Sequence, residues 1–447
     1  MRNKMDELKY NAYLEYKKNN FFSSIHSAKS ISSGVNFFKI LDLYKDLMQV
    51  EIENEYSVSL YAEPRGHKML IEVISYWENY FFGRNICSTA WDICVVNGAT
   101  AGLNLVFDFF SMRELKRGII IGYSYTLFAM LGHRFGIELE VIVAQDRNKV
   151  IPDVGKIIEY VKKNAPDFIC LTEPLNPSGE MYDEKSMRRL LRLCKEKHCF
   201  LLIDKCQREE LQLMYRPDYY SLNKLILEEK ALNNVIIVNS LSKTRSLPGI
   251  RFGYVMAEPS IIDYLVYLNT ITYWHCSATC SFAVAIDILY QLIYMDNENK
   301  YNHINTISEL IKKYILNMNI AKQIFYYINP KEIEERSRKH CQTIIDRYSI
   351  IDMNYKFAFE HLKNNKYEIT KLDGGYNFCI KFRKKISEFQ LKQRALHEKK
   401  LEIFTQEDFC CTKTNQDNNY WIRISCAEEK ESFKQNFLLF CSLFEED

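Results

Sequence analysis

From Tyr61 to about residue 260 the apolar positions gather into short unbroken runs, separated by longer stretches with helical periodicity. The runs are Asp92–Val96, Gly118–Gly122, Glu140–Val143, Asp167–Thr172, Cys199–Asp204 and Asn234–Asn239. They do not alternate apolar with polar residues, the pattern of strands covered by helices on both faces, so buried parallel strands are predicted. Asn97-Gly98 closes the first run with a turn signal and leads into an uncharged helical stretch, Ala101 to Phe110. Leu127–Phe135 shows helical spacing after the second run. These alternations predict an α/β fold with a doubly wound, mostly parallel sheet over roughly residues 55–300.

Outside that region the texture differs. The first fifty or so residues read as short helical pieces rich in Tyr, Phe and Lys. After Ile262 the pattern is helical through Tyr294, and residues 296–345 are polar, helical and rich in Lys, Asn and Tyr. From Tyr355 a helix, a strand at Gly375–Phe382, a helix near Lys384–Lys399 and a strand at Tyr420–Ser425 predict a smaller α+β domain. The expected division is an N-terminal segment (1–54) packing with the small domain, a large domain (55–295), a helical insertion or lid (296–345) and a small C-terminal domain (346–447).

Composition narrows the function classes. With 47% hydrophobic and 26% charged residues the 447-residue chain is an ordinary globular one, and disorder is excluded. A net charge of +2 supplies no basic excess for a nucleic-acid backbone. Fourteen cysteines form no CxxC pair and have no histidine at zinc-finger spacing, so no metal is expected. The charged start, MRNKMDELKYNAYLEYKKNN, lacks the apolar core of a signal peptide, and the uncharged stretch at Gly118 to Gly132 is too short for a bilayer. A cytoplasmic protein with reduced thiols and no membrane or nucleic-acid partner is the expectation.

Candidate chemistry collects at the ends of the predicted strands, where ligands bind in open parallel sheets. Asn97-Gly98-Ala99-Thr100, Asn176, Asp204 and Ser240-Leu241-Ser242-Lys243 all stand there. Singly each reads as a cap or a loop residue; together on consecutive strand ends they read as a site. The stretch from Ser240 through Lys243 to Leu247-Pro248-Gly249-Ile250-Arg251-Phe252-Gly253-Tyr254 resembles the SxSK…LPGxRxGY signature of the class I/II aminotransferases, fold type I enzymes of the aspartate aminotransferase superfamily. Glu173-Pro174-Leu175-Asn176-Pro177-Ser178-Gly179 resembles their PxNPTG turn, Asn97 to Leu103 their GATxAL turn, and Ile422-Arg423-Ile424-Ser425 their RxSFA segment. The matches fall in family order over about residues 60–430.

The resemblance implies the cofactor pyridoxal 5′-phosphate, and the chemistry explains the residue types. Lys243 matches the position of the amine that forms a Schiff base with the cofactor's aldehyde and shuttles protons. Asp204 matches the carboxylate that keeps the pyridine nitrogen protonated. Gly98, Ala99 and Thr100 at a helix start, with Ser240, Ser242 and Arg251, are implied as the phosphate partners. Arg423 is implied as the planar donor for the substrate α-carboxylate, and Asn176, which in the family pattern hydrogen-bonds the cofactor's 3′-oxygen, as its helper. Tyr125 is implied to stack on the cofactor ring, and Tyr61 to reach the phosphate of the neighbouring subunit in a homodimer.

Two departures stand out. Where the family reads DExY, this chain has Asp204-Lys205-Cys206-Gln207, so an amide replaces the tyrosine that hydrogen-bonds the 3′-oxygen. That reads either as a neutral substitution or as a member diverted from plain transamination. The second is the added length at 296–345, with Tyr326, Tyr327, Arg336, Arg338 and His340, read as a solvated surface helix before a lid. Cys206, Cys426 and His275 lie near matched positions, and packing roles are expected for them. The functional expectation is aminotransfer from a small amino acid to a keto acid; the alternative is a cyclase, elimination/replacement enzyme or oxygenase using the same cofactor. A non-catalytic binding module is disfavoured by the complete lysine–aspartate–arginine set.

Overall fold

The structure, a computed structural model, describes residues 29–53, 61–146, 148–275, 280–315, 318–363, 367–383, 386–409 and 419–445. The predicted helical pieces before residue 29 lie outside these, as do Cys276, Cys410 and Cys411. The described chain opens with a short strand, β1 (Lys29–Ser30), and a helix, Asp42–Glu53.

All six predicted runs form strands: β2 (Asp92–Asn97), β3 (Arg117–Ile121), β4 (Glu138–Ile142), β5 (Phe168–Thr172), β6 (Phe200–Asp204) and β7 (Val235–Ser240). A seventh, β8 (Phe252–Ala257), is buried at every residue and is not singled out by the hydrophobic pattern. The order is β2-β8-β7-β6-β5-β3-β4, with β8 antiparallel to both neighbours and the other pairs parallel. The expected α/β fold with a large, mostly parallel sheet is the fold observed. Burial on both faces is visible within single strands: Ile119 and Ile121 face one core while Ile120 faces the other. The exception is β4, which sits at the sheet edge and is only half-buried.

The reversed strand matters for the site. Because β8 is antiparallel, the residue that precedes it lies at the same sheet edge as the carboxyl ends of β2 and β7. The pairings Asn97 with Phe252 and Ser240 with Gly253 place Arg251 there. On the neighbouring strands Thr172 pairs with Asp204, so β5 and β6 end together.

The C-terminal part carries β9 (Asn377–Arg383), β10 (Leu401–Glu402), β11 (Phe404–Thr405) and β12 (Asn419–Ser425). Strand β12 lies between β11 and β9, antiparallel to both, while β1 pairs in parallel with β10. Helices Lys300–Lys313, Met318–Tyr327 and Ile333–Lys363 occupy the added length, and the last runs without a break through residue 345. The first packs on helices Ser281–Met295 and Lys68–Phe82, the second on Asp42–Glu53. Ile304, Ile307, Ile311, Ile320 and Ile324 are buried, so one face of this polar-looking segment joins the core. Among the described residues no helix is long and apolar enough to cross a membrane, and no cluster suited to a metal ion is found.

Candidate active site

Lys243 lies in a four-residue helix, Leu241–Thr244, that follows β7 directly. Ser240 caps it: its Oγ accepts from the Ser242 N–H at 3.2 Å and donates to the Phe252 carbonyl at 2.7 Å. The Ser242 hydroxyl is 2.9 Å from that of Ser240. The Lys243 amine donates to the Gly34 carbonyl, which also accepts from the Tyr376 hydroxyl at 2.7 Å. The Asn36 side-chain amide donates to the Lys243 carbonyl at 2.8 Å. Burial, then the nearby Arg423 cation, pushes the Lys243 amine below the usual lysine range.

Asp204 ends β6 and is buried. Burial pushes its carboxyl up, opposed by hydrogen bonds from Cys206 and by the Lys243 charge; the Cys206 N–H donates to Oδ1 at 3.0 Å. Three residues past Asp204, Gln207 is buried, and its Oε1 accepts from the Asn377 Nδ2 at 3.2 Å. Gly375 makes room for this amide: a Cβ there would lie 2.8 Å from Gln207 Oε1.

The helix Gly98–Met112 starts where β2 ends, and the Asn97 side chain does not cap it but donates to the His275 carbonyl at 3.3 Å. Arg251 crosses this start, donating to the carbonyls of Pro248 (2.9 Å) and Asn97 (3.4 Å). Gly98, at φ +75°, is required here, since a Cβ would stand 2.6 Å from Arg251 Nη2. Thr100 meets the hydroxyl of Tyr125, whose ionisation also feels Asp204 and Arg251; burial pushes that phenol up.

Arg423, on β12, is buried with Phe404 and Phe409 rings 5.1 and 4.7 Å from its guanidinium carbon. Its Nε donates to the Ser32 carbonyl at 2.7 Å and Nη1 to Asn176 Oδ1 at 2.9 Å, and burial pushes its pKa down. Asn176 thereby ties the carboxyl end of β5 to the C-terminal part.

The proposed residues Lys243, Asp204, Gly98, Ala99, Thr100, Tyr125, Ser240, Ser242, Arg251, Asn176, Gln207 and Arg423 thus converge on one edge of the sheet. Tyr61 stands apart, 83% exposed, its ring against Trp274 and His275 with centroids 6.2 and 5.6 Å away. Burial pushes the Cys206 and Cys426 thiols well up, which suits packing and not nucleophilic chemistry. Sequence reasoning missed Ser32, Gly34, Asn36, Tyr376 and Asn377, which carry no local signature and reach the site through tertiary packing alone.

The family model for aminotransferase class I and II matches residues 32–313. The chain belongs to the class I and II aminotransferases. A histidinol-phosphate aminotransferase from Thermoanaerobacter sp. (strain X514) is 23% identical over 293 residues, 64% of this chain and 65% of that protein. An aspartate aminotransferase from Pyrococcus horikoshii is 24% identical over 213 residues, 47% of this chain and 51% of that protein. The chain therefore spans about half to two thirds of the length of these curated relatives. An aromatic aminotransferase from Pyrococcus horikoshii OT3 has the same fold, with a TM-score of 0.70 at 15% identity over 94% of this chain and 96% of that one. An aspartate aminotransferase from Thermotoga maritima superposes with a TM-score of 0.68 at 15% identity, covering 100% and 98% of the two chains.

Class I and II aminotransferases use pyridoxal 5′-phosphate, and the donor set of this member fits it. An uncapped helix start, a glycine that yields space to Arg251 and the Ser240–Ser242 hydroxyl pair lie at this edge and could serve a phosphate. Asp204 is a buried carboxylate that a ring cation would relieve. Gly98→Ala is expected to weaken cofactor affinity by about 10–100-fold, as titration of the unloaded protein would measure, because the added methyl displaces Arg251.

Proposed function

We propose that the protein is a pyridoxal-phosphate-dependent aminotransferase moving an amino group from a small amino acid to a keto acid. The convergence of Lys243, Asp204, the Gly98–Thr100 helix start, Arg251 and Arg423 on one sheet edge carries this reading. When bound, the cofactor supplies an aldehyde for the lysine amine and a ring that accepts the electron pair freed at the substrate Cα. Gly98, Ala99, Thr100, Ser240, Ser242 and Arg251 would hold its phosphate, Asp204 would keep a proton on its ring nitrogen, Gln207 and Asn176 would offer hydrogen bonds to its 3′-oxygen, and Tyr125 would stack on its ring. Arg423 grips the α-carboxylate, its Nη1 steadied by Asn176 Oδ1. Lys243, its amine pushed towards the neutral form, takes the proton from Cα.

In this reading the domain at 55–295 binds the cofactor and the domain at 346–447 brings Arg423 to the substrate, while Ser32, Gly34 and Asn36 of the N-terminal segment reach over the site. A homodimer completes it, with the exposed Tyr61, Tyr273 and Trp274 on the surface offered to the second copy. The proposed setting is the cytoplasm.

The test mixes loaded protein with single amino acids and no keto acid. Keto acid equal to one per active site, and no more, is expected; continued product over many turnovers would assign the protein to cyclase, elimination/replacement or oxygenase chemistry. Arg423→Gln is expected to raise KM for the amino acid about 100-fold with a smaller change in kcat, the loss of one charge-assisted bidentate grip at about 3 kcal/mol. Steady-state kinetics with the donor found above measures it.

A further inference from the structure

A helix of four residues has no stability of its own, so Lys243 is held in place by tertiary anchors. One anchor is the Ser240 cap. A second is the Asn36 amide on the Lys243 carbonyl, and a third is Arg245, two residues past Lys243, which is buried and gives Nε to Asp287 Oδ2 at 2.7 Å and Nη1 to Glu209. Glu209 belongs to the loop begun by Asp204, so Arg245 joins the two loops that carry the central lysine and aspartate.

Asp287, on helix Ser281–Met295, is the hub of this arrangement. It is 2% exposed and accepts from three side chains: Arg245, the Tyr44 hydroxyl at 2.9 Å and His340 Nε2 at 2.7 Å on Oδ1. These donors come from the Lys243 loop, the N-terminal helix Asp42–Glu53 and the long helix Ile333–Lys363. The His340 ring also meets Tyr290 edge to face, 5.6 Å between centroids. Burial alone would raise the Asp287 carboxyl, but Arg245 and His340 outweigh it and hold it well below the usual range. Buried ion networks seldom add net stability over apolar packing, and their return is fixed geometry.

We propose that Asp287, oriented by His340, is a positioning residue that sets Lys243 through Arg245, so that the added helical segment is part of the catalytic framework. This rests on the assignment of Lys243 as the reacting amine. A carboxylate that loses one of three donors shifts in its socket, and a displacement well under 1 Å at Arg245 moves the lysine amine off its line to the reacting carbon.

The test compares His340→Leu, which removes the donor, with His340→Gln, which keeps one. In the loaded enzyme His340→Leu is expected to lower kcat about 10-fold with KM within about 2-fold, and His340→Gln to recover kcat to within about 3-fold of the parent. In the unloaded protein, acylation of Lys243 by acetic anhydride, followed against pH by peptide mass spectrometry, is expected to change at least about 3-fold in His340→Leu alone. Unchanged kcat and unchanged acylation in a His340→Leu protein that melts like the parent would overturn the proposal, as would a His340→Gln no better than His340→Leu. If His340→Leu fails to fold, hydrogen exchange on the parent decides: cofactor loading should protect residues 241–246 and 333–345 together, and no change in 333–345 would overturn it. Failure of the aminotransferase reading itself shows separately, as borohydride fixing no cofactor on Lys243, while the acylation readout on the unloaded protein stands independently.

Discussion

Lys243→Ala is expected to lower kcat by at least about 1,000-fold, because one side chain supplies both the covalent attachment and the proton transfer. The amine is suited to both tasks. It is half-buried next to Arg423, which favours the neutral form, and its described acceptor is the Gly34 carbonyl. The proposed phosphate partners at Gly98–Thr100 and Arg251 do not depend on the lysine side chain, so the variant is expected still to bind cofactor, more weakly and without a covalent bond. Stopped-flow kinetics and equilibrium titration check the two halves of this result. Residual turnover within about 10-fold of the parent would remove Lys243 from the chemistry.

Asp204→Asn is expected to lower kcat by about 100–1,000-fold while raising the stability of the unloaded protein at neutral pH. The loss follows from the amide's inability to hold a proton on the ring nitrogen. The gain follows from linkage. Burial raises the Asp204 carboxyl above its unfolded value, so the folded protein binds more protons there than the unfolded one, and stability falls as pH rises through that window. An asparagine has no such titration, so the pH-dependent loss seen in the parent should flatten. Thermal melts of both unloaded proteins across pH 4 to 8, with kcat on the loaded ones, test both signs. Equal pH dependence in the two would contradict the electrostatic account of this residue.

The parts of the site that were legible in the sequence are those set by local rules. Asp204, Asn176, Gly98 and Lys243 stand at ends of apolar runs, and strand geometry alone places such residues on one sheet edge. Arg251 could be matched by its distance from Lys243, but its place beside Asn97 depends on β8 running antiparallel, which no period reveals. Ser32, Gly34 and Asn36 were illegible for a different reason: a short polar stretch acquires meaning only when the chain folds back on residues two hundred and more positions away. In the added segment charge conceals a buried face. Its Lys and Asn residues suggest a solvated face, yet Ile304, Ile307 and Ile311 recur at helical spacing and are buried, and His340 reaches Asp287. Lys205, Glu78 and Glu210 show the same effect, since charged residues read as surface but here pair inside the protein, with Lys205 Nζ 2.8 Å from Glu210.

In the proposed function the Lys243 amine takes the cofactor. Reduction of the pyridoxal-phosphate-loaded protein with borohydride, followed by peptide mass mapping, decides this. A single pyridoxyl label on Lys243, absent from Lys243→Ala, is the predicted result. A label on another lysine, with Lys243 unmodified, would contradict the account.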